Sequence, residues 1–140
     1  MTGVRIETQS LVLREITDAD VAAVLAVQSH PAYLRHYPFD ERTEEDARAF
    51  VSRAVEAAAA EPRLTFCLGI ELGGRLVGDV SLRLRGPSGS SGSLGYELHP
   101  DVWGRGYATE AAGALLAFGF REFPLHRVEA WVFDHIPASA

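Results

Sequence analysis

The 140-residue sequence predicts an α/β fold in which a mixed sheet carries helices on both faces. Strand and helix patterns follow one another in the order β-α-α-β-β-β-α-β. Gly73 and Gly74 separate two strand patterns and predict a hairpin turn between them. Gly104 and Gly106 lie between the next strand and a helix, and the last strand then completes a βαβ unit. The two strands of that unit are expected to be parallel.

The first 60 residues are predicted to form one strand and two helices. The strand covers residues 10–15, where apolar and polar residues alternate. The first helix begins in Thr17–Asp20, whose hydroxyl and carboxylates suit a helix cap, and Pro31 is expected to end it. The second helix begins at Thr43 and runs to about Ala60.

An aromatic-rich connection, residues 30–40, separates these two helices and is predicted to be irregular. It contains Tyr33, His36, Tyr37 and Phe39. These rings either complete the core or line a substrate pocket, because aromatic side chains in connecting segments often serve binding. The sequence favours neither alternative.

Four more strands are predicted in the second half. They are Leu64–Leu72, Leu76–Leu84, Ser93–Leu98 and Arg127–Phe133. Gly78 interrupts the second of them and predicts a β-bulge. Residues 86–92 are rich in glycine and serine and are predicted to form a flexible surface loop.

Composition excludes several classes of function. The net charge is −6 and all 13 cationic residues are arginine, so a broad nucleic-acid or anionic-membrane surface is not expected. Cys67 is the single cysteine and lies in an apolar run, which predicts an inert buried thiol without a disulfide or a cysteine-ligated zinc. No metal site is expected. No secretory or membrane-spanning pattern is seen, so we expect a cytoplasmic protein.

The glycine turn before the last predicted helix has the chemistry of an anion site. The N–H groups from Gly104 to Ala108 lie at the positive end of the helix dipole, where phosphate oxygens are bound in many proteins. The Thr109 hydroxyl and the Arg105 guanidinium could add contacts to phosphate groups. No Lys-Ser/Thr follows Gly106, so a nucleoside-triphosphate loop is not predicted. The alternative is a purely structural turn that caps a helix.

Three segments together resemble the GCN5-related N-acetyltransferases. They are residues 8–20, 69–82 and 95–112, and the third, which includes Trp103-Gly-Arg-Gly-Tyr-Ala-Thr-Glu-Ala, is the most specific. Within the family the chain is similar to the ribosomal-protein alanine and serine acetyltransferases. The family loop reads Arg/Gln-x-x-Gly-x-Gly/Ala; Gly106 and Ala108 match it, and Trp103 stands where arginine or glutamine is usual.

The resemblance implies a fold, a co-substrate and a site. The fold is the acyl-CoA N-acyltransferase fold with a mostly antiparallel sheet, and the co-substrate is acetyl-coenzyme A. Its expected ligands are Leu98, Gly104, Arg105, Gly106, Tyr107, Ala108 and Thr109. Leu98 would donate its N–H to the thioester carbonyl, as in an oxyanion hole. Glu97 is the candidate general base, through water; Glu129 and His99 are weaker candidates. For His126 we expect a role at the helix end.

The chain departs from the family after its last predicted strand. The family continues with Asn-x-x-Ser, a further helix and two strands, whereas here Ile136 stands at the asparagine position. We therefore expect a single domain over residues 1–140 that is short at its C-terminus, with weakened catalysis. The last strand would form an exposed edge, so a homodimer or another assembly is expected to cover it.

Two classes of function follow. The first is acetyl transfer from acetyl-coenzyme A to a primary amine, either a protein N-terminal amino group or a small amine. The second is a non-catalytic or weakly active coenzyme-A-binding module of the same fold. Acetylation of an antibiotic such as an aminoglycoside shares the fold, and the sequence does not separate it from peptide acetylation.

Overall fold

The computed structural model describes residues 1–36, 41–86 and 89–131. Its strands are β1 (Arg5–Glu7), β2 (Val12–Glu15), β3 (Thr65–Leu72), β4 (Arg75–Arg85), β5 (Ser91–Leu98) and β6 (Arg127–Trp131). Its α-helices are α1 (Val21–Gln28), α2 (Pro31–His36), α3 (Glu44–Ala59) and α4 (Tyr107–Glu122). Short 3₁₀ turns at Asp18–Asp20 and Pro100–Val102 precede α1 and α4.

The strands form one six-stranded sheet in the order β1-β2-β3-β4-β5-β6. All neighbours are antiparallel except β5 and β6, which are parallel and joined through α4. The predicted fold class and the predicted βαβ unit are therefore confirmed. The parallel pair matters most for function, because ligands bind beyond the carboxyl ends of such strands.

Helices cover both faces of the sheet, as the sequence predicts. On one face α4 packs with Ala108 and Leu115 onto a core from β2 to β5 that includes Phe66, Leu82 and Leu98. On the other face α1 and α3 cover the sheet through a second cluster. Its buried members are Ile16, Val24, Ala47, Val51, Ala54 and Leu76. We call these two sides of the sheet the α4 face and the α3 face.

Three local predictions are wrong. Strand β1 is absent from the predicted order, because three residues are too short to show alternation. Pro31 does not end the first helix but begins α2, where a missing N–H costs nothing. The predicted loop over residues 86–92 is shorter, because β5 already begins at Ser91. Residues 87–88, and residues 132–133 of the predicted last strand, lie outside the described residues.

The helix starts agree with the sequence. Thr17 caps the first 3₁₀ turn and Thr43 caps α3, each in a capping box with the aspartate three residues later. Asp20 is further held by Arg14, whose two terminal nitrogens lie 2.9 and 3.0 Å from its carboxylate oxygens. This bidentate pair fastens the start of α1 to β2.

We expect the Arg14–Asp20 pair to lose its stabilising effect in acid. Burial opposes ionisation of Asp20, but the hydrogen bonds and charge of Arg14, with those of Thr17, outweigh it and lower the pKa of Asp20. A lowered pKa in the folded state gives stability that is present above about pH 4 and is lost as the pH falls below it. Urea unfolding should therefore show wild type more stable than Asp20→Asn at pH 7, with the difference shrinking toward pH 3. A difference in stability between the two proteins that stays the same from pH 7 to pH 3 would contradict this role of the Arg14–Asp20 pair.

Candidate active site

The N-terminus of α4 offers free backbone donors to an anion. Gly104 and Gly106 have φ of 75° and 80°, and Gly106 is the N-cap without a side-chain cap. The Glu110 N–H donates to the carbonyl of this N-cap residue at 3.0 Å, as the first i to i−4 bond of the helix. The preceding N–H groups of the first turn have no acceptor within the helix. The backbone here has the geometry that the predicted phosphate site needs.

The other residues of this loop differ in their exposure. Arg105 and Thr109 are exposed and can turn toward a ligand, and Tyr107 is half-buried. Ala108 is fully buried and packs into the α4-face core, so it can contribute only its backbone. A Cβ atom built at Gly104 or Gly106 would meet no atom within 4 Å. The positive φ at these two positions therefore favours glycine, and the space beside them is open to a ligand.

Trp103 ties this loop to the end of β5. Its indole Nε1–H donates to the Leu98 carbonyl at 2.9 Å, and its ring packs against the α4-face core. The residue that departs from the family loop is thus an anchor between the strand and the turn. Thr8 and Ser10 fasten the helix from the other side, since both donate to the Glu110 carboxylate in the first turn of α4.

The backbone N–H and C=O groups of Leu98 point away from β4. The His99 N–H donates to the Val77 carbonyl at 2.6 Å, and Gly78 is paired with Leu98. In an antiparallel ladder this makes Gly78 and Leu98 a non-hydrogen-bonded pair, so the Leu98 N–H faces the β6 side. The β5–β6 register ends at Gly95 and Trp131 within the described residues. The Leu98 N–H is therefore directed toward the side where an extended ligand can pair with β5.

Gly78 permits a close approach of β4 to β5 at this point. The β3–β4 register shifts between Ile70 and Glu71, which places the predicted bulge beside Gly78. A Cβ at Gly78 would lie 2.1 Å from the Glu97 carbonyl oxygen. A larger residue would push the end of β5 away, so Gly78 helps to fix the positions of Glu97 and Leu98.

Glu97 is held on the α3 face by donors from two helices. Gln28 at the end of α1 donates its Nε2 to one carboxylate oxygen at 2.7 Å. The Tyr33 hydroxyl on α2 donates to the other oxygen, also at 2.7 Å. Gln28 is in turn held by the guanidinium of Arg42, which donates to its Oε1 at 2.9 Å. The candidate base is thus oriented by residues that are far away in sequence.

Asp79 on β4 lies directly across from Glu97 on β5. Its side chain is buried, and burial, the charge of Glu97 and a hydrogen bond to Glu97 raise the pKa of Asp79 well above its usual value. Two adjacent carboxyl groups in this setting do not both ionise. At neutral pH we expect Asp79 to keep its proton and to donate it to Glu97, so that the pair carries one negative charge.

The replacement Asp79→Asn should increase stability, and the increase should grow with pH. A raised folded-state pKa gives stability that is fully present below about pH 4 and is lost as the pH rises through the folded pKa. Asparagine also donates a hydrogen bond to Glu97, but it has no carboxyl group whose ionisation at higher pH would destabilise the folded state. Thermal unfolding of both proteins at pH 5 and pH 8 measures the effect. A variant that is equally destabilised at both pH values would show that Asp79 is not a buried, protonated acid.

Two histidines lie just beyond the ends of α1 and β5. The rings of His30 and His99 make an edge contact with centroids 5.0 Å apart. Burial lowers the pKa of His99, with Asp101 opposing and Arg75 and His30 adding to it. His99 Nδ1 accepts the Asp101 N–H at 3.1 Å, so this nitrogen caps a turn and is not free to act as a base.

The other sequence candidates are not brought together with Glu97. Glu129 is exposed on β6, opposite Ser93, roughly 13 Å along β5 from Glu97. His126 lies between α4 and β6, where the sequence places it, but α4 already ends at Glu122, so the helix-end role expected for His126 is wrong. The His126 N–H donates to the Ser90 carbonyl at 3.0 Å. Tyr37, Phe39 and Ile136, and the side chain of His36, lie outside the described residues.

Sequence reasoning missed Asp79 and Gln28 as parts of the site. Asp79 has a detectable signal, because it is the one acid in β4 and stands within the buried apolar run Leu76–Val80. Gln28 has none, since one polar residue near a helix end is ordinary. Tyr33 satisfies both alternatives weighed for the aromatic segment: it is 1% exposed and its hydroxyl reaches Glu97.

Cys67 adjoins the carboxyl pair on β3. The residue is half-buried, whereas the sequence predicts a buried one. Its Sγ lies 4.0 Å from the Asp79 carboxyl. Burial and then the charges of Asp79 and Glu97 raise the pKa of this thiol. A raised pKa keeps the thiol protonated and poorly nucleophilic, in agreement with the predicted inert state.

Residues 1–36, 41–86 and 89–131 contain no cluster of three or more His, Cys, Asp or Glu side chains arranged to hold a metal ion. None of the helices in those ranges is long and apolar enough to span a membrane.

Sequence comparison places this arrangement among known proteins. Residues 10–139 match the family model for the acetyltransferase (GNAT) domain. A relative from Bacillus subtilis, the uncharacterized N-acetyltransferase YoaA, is 30% identical over 136 residues. The match covers 96% of this chain and 76% of the relative.

Structural comparison gives the same fold. A putative ribosomal-protein-serine acetyltransferase from Vibrio cholerae superposes with a TM-score of 0.80 at 25% identity, covering 99% of this chain and 80% of that one. The RimL ribosomal L7/L12 alpha-N-protein acetyltransferase in complex with coenzyme A gives a TM-score of 0.75 at 20% identity, covering 89% and 72%. At the latter identity the likeness is one of fold.

Proposed function

Because this chain belongs to the GNAT acetyltransferase family, we propose that it transfers an acetyl group from acetyl-coenzyme A to a primary amine, with a protein N-terminal amino group as the favoured acceptor. The observation that carries the proposal is the alignment of three features at one end of the sheet. They are the free N–H groups at the start of α4, the outward Leu98 N–H and the oriented Glu97 carboxylate.

The residues present fit the co-substrate. The N–H groups of Gly104 to Thr109 would hold the pyrophosphate, with the exposed Arg105 available to a further phosphate. The open space beside Gly104 and Gly106 admits the ligand to the backbone. Acetyl-coenzyme A supplies the thioester whose acetyl group is transferred. The RimL structure with coenzyme A supports this assignment at the level of the fold.

Leu98 and Glu97 would divide the chemistry between them. The Leu98 N–H would donate to the thioester carbonyl oxygen and stabilise the negative charge that develops there. Glu97 would accept a proton from the acceptor ammonium, directly or through water, so that the neutral amine attacks. Asp79, Gln28 and Tyr33 would hold Glu97 in place for this step. These three are positioning residues because they act through Glu97.

The choice of a protein N-terminal amino group as the favoured acceptor rests on similarity to two solved structures. The Vibrio cholerae neighbour is described as a putative ribosomal-protein-serine acetyltransferase, and RimL as an alpha-N-protein acetyltransferase. Both names give a protein as the acceptor, and that of RimL gives the protein α-amino group. A small amine remains the second class of acceptor.

We also propose that the chain forms a homodimer in which the partner covers the edge strand β6.

A direct assay tests the proposal. Acetyl-coenzyme A is titrated calorimetrically, and thiol release is then followed with N-terminal peptides, polyamines and aminoglycosides. The chain contains no lysine, so self-acetylation is limited to its own N-terminus and the background is low. Binding and transfer to peptides support the proposal. Binding without transfer to any amine indicates the non-catalytic module, and absence of binding at high micromolar ligand refutes the co-substrate.

A further inference from the structure

A groove on the α3 face leads away from the carboxyl pair. Its inner part, with a volume of about 210 Å³, lies between α3 and strands β3 and β4 and has Asp79 in its lining. It continues over Ser81, Arg83 and Ser93 to Arg85, and then to Arg127 at the β6 edge. We call this the arginine groove, defined by Arg53, Arg83, Arg85 and Arg127.

The arginine groove is cationic in a chain of net charge −6. Four of the 13 arginines line it. Arg53 and Arg83 form no ion pair or side-chain hydrogen bond with any described residue, whereas Arg63 and Arg14 elsewhere are fully engaged with carboxylates. The Arg85 guanidinium donates to the Ser93 hydroxyl at 3.2 Å and keeps its charge uncompensated. Arg127 has only a loose, exposed partner, Glu129, at 3.6 Å.

The floor of the groove suits a polar chain laid along it. Ser81 and Gly95 are paired across β4 and β5, and Ser93 follows on β5. These side chains are small, so the floor is low, and α3 raises a wall with Phe50 and Ala54. The opposite face of the same strands is apolar and covered by α4. The polar floor is therefore a local feature of the α3 face and not of these strands in general.

The groove is continuous with the carboxyl pair. Asp79, Ser81 and Arg83 lie on the same face of β4, at steps of about 6.8 Å. If the N-terminal amine of a peptide lies at the carboxyl pair, the residues that follow lie over Ser81 and then beside Arg83, which is roughly 13 Å from Asp79 along β4. An extended peptide covers that distance with about four residues.

We propose that the acceptor is a peptide segment whose free N-terminal amine is followed by acidic side chains within its first five residues, and that the arginine groove binds this segment. The inference rests on the proposed acetyl transfer and adds the class of acceptor to it. The amine is recognised by the single negative charge of Asp79 and Glu97. The acidic side chains are recognised by Arg83 and Arg53, which otherwise lack counter-charges.

Peptide binding is the decisive test, because it needs no acetyl transfer. Three fluorescent peptides of equal length, with a free N-terminal serine followed by acidic, neutral or basic residues, are titrated by anisotropy. We expect the acidic peptide to bind at least about tenfold more tightly than the neutral one and to weaken with added salt. Arg53→Glu and Arg83→Glu should each remove most of that preference. Arg121→Glu, at the end of α4 on the other face, is the matched control with the same change in net charge.

The double variant Arg53→Glu/Arg83→Glu keeps the test independent of folding damage. It should gain affinity for the basic peptide, which a misfolded protein would not do. Equal binding of all three peptides by wild type overturns the proposal. So does a single-stranded RNA that binds as tightly as the acidic peptide and is lost in the same variants, since the groove would then be a general polyanion surface.

Acetyl-transfer kinetics separate the two proposals from each other. If transfer to neutral and acidic peptides has the same kcat/KM and Arg83→Glu changes neither, the groove proposal fails and acetyl transfer stands. If the acidic peptide binds in the groove but no amine is acetylated, acetyl transfer fails and the groove remains a peptide site.

Discussion

Replacing Glu97 with glutamine will lower kcat for acetyl transfer by about 10²- to 10⁴-fold, the range expected for loss of a general base. The reason is that the amide cannot take a proton from the acceptor ammonium. Its pH–rate profile should also change, because the remaining dependence would follow the free amine of the acceptor. The KM for acetyl-coenzyme A should change little, since Glu97 lies on the α3 face, away from the α4 N-terminus.

Glu7→Gln is the matched control for this experiment. Glu7 is an exposed carboxylate, paired with Arg5 on β1, and three strands separate it from Glu97 on β5. Circular dichroism must show that Glu97→Gln is folded, because the new amide meets the Gln28 and Tyr33 donors. A folded variant with unchanged kcat and an unchanged pH profile would remove Glu97 as the base.

Replacing Gly106 with valine will weaken the binding of acetyl-coenzyme A by at least about tenfold in calorimetric titration. Gly106 caps α4 at φ 80°, a region that costs a β-branched residue about 1–3 kcal/mol. The chain will relieve the strain by turning the loop, and the first N–H groups of α4 will then lose their common direction. The open space around Gly106 means that steric overlap inside the protein is not the cause.

Gly113→Val provides the matched control in the same helix. Gly113 is exposed on α4, two turns further on, and a Cβ there also meets no atom within 4 Å. The chemical change is identical, but the residue lies in helical backbone without a positive φ. Acetyl-coenzyme A should bind this variant as it binds wild type. Equal affinities for Gly106→Val and Gly113→Val would show that the loop is not the pyrophosphate site.

Much of the fold is predictable because its signals are local. The capping boxes at Thr17 and Thr43, the Gly73-Gly74 turn and the alternation along β4 each depend on neighbours in sequence. The errors occur where the local signal is short or ambiguous. Strand β1 has three residues, and Pro31 begins a helix as readily as it ends one. Both cases were decided by packing against the rest of the chain.

The candidate site divides in the same way. The glycine turn and the α4 N-terminus form one continuous segment, so residues 104–109 were assigned as an anion site from the sequence. Whether they bind coenzyme A stays a prediction. The surroundings of Glu97 were not assignable, because Gln28, Tyr33 and Asp79 come from α1, α2 and β4. Their juxtaposition depends on strand register and on helix packing, which no local pattern encodes.

The sequence by itself determined the order of the elements other than β1 and α2, and the backbone of the anion site, because hydrophobic period, helix caps and glycine conformation act over a few residues. The tertiary structure alone decided that Asp79 faces Glu97, that the Leu98 N–H points away from β4, and that Arg53 and Arg83 line one groove. The first two depend on the β4–β5 register, and the third depends also on the packing of α3, which carries Arg53. A shift of the register by one residue would turn Asp79 and Arg83 to the α4 face.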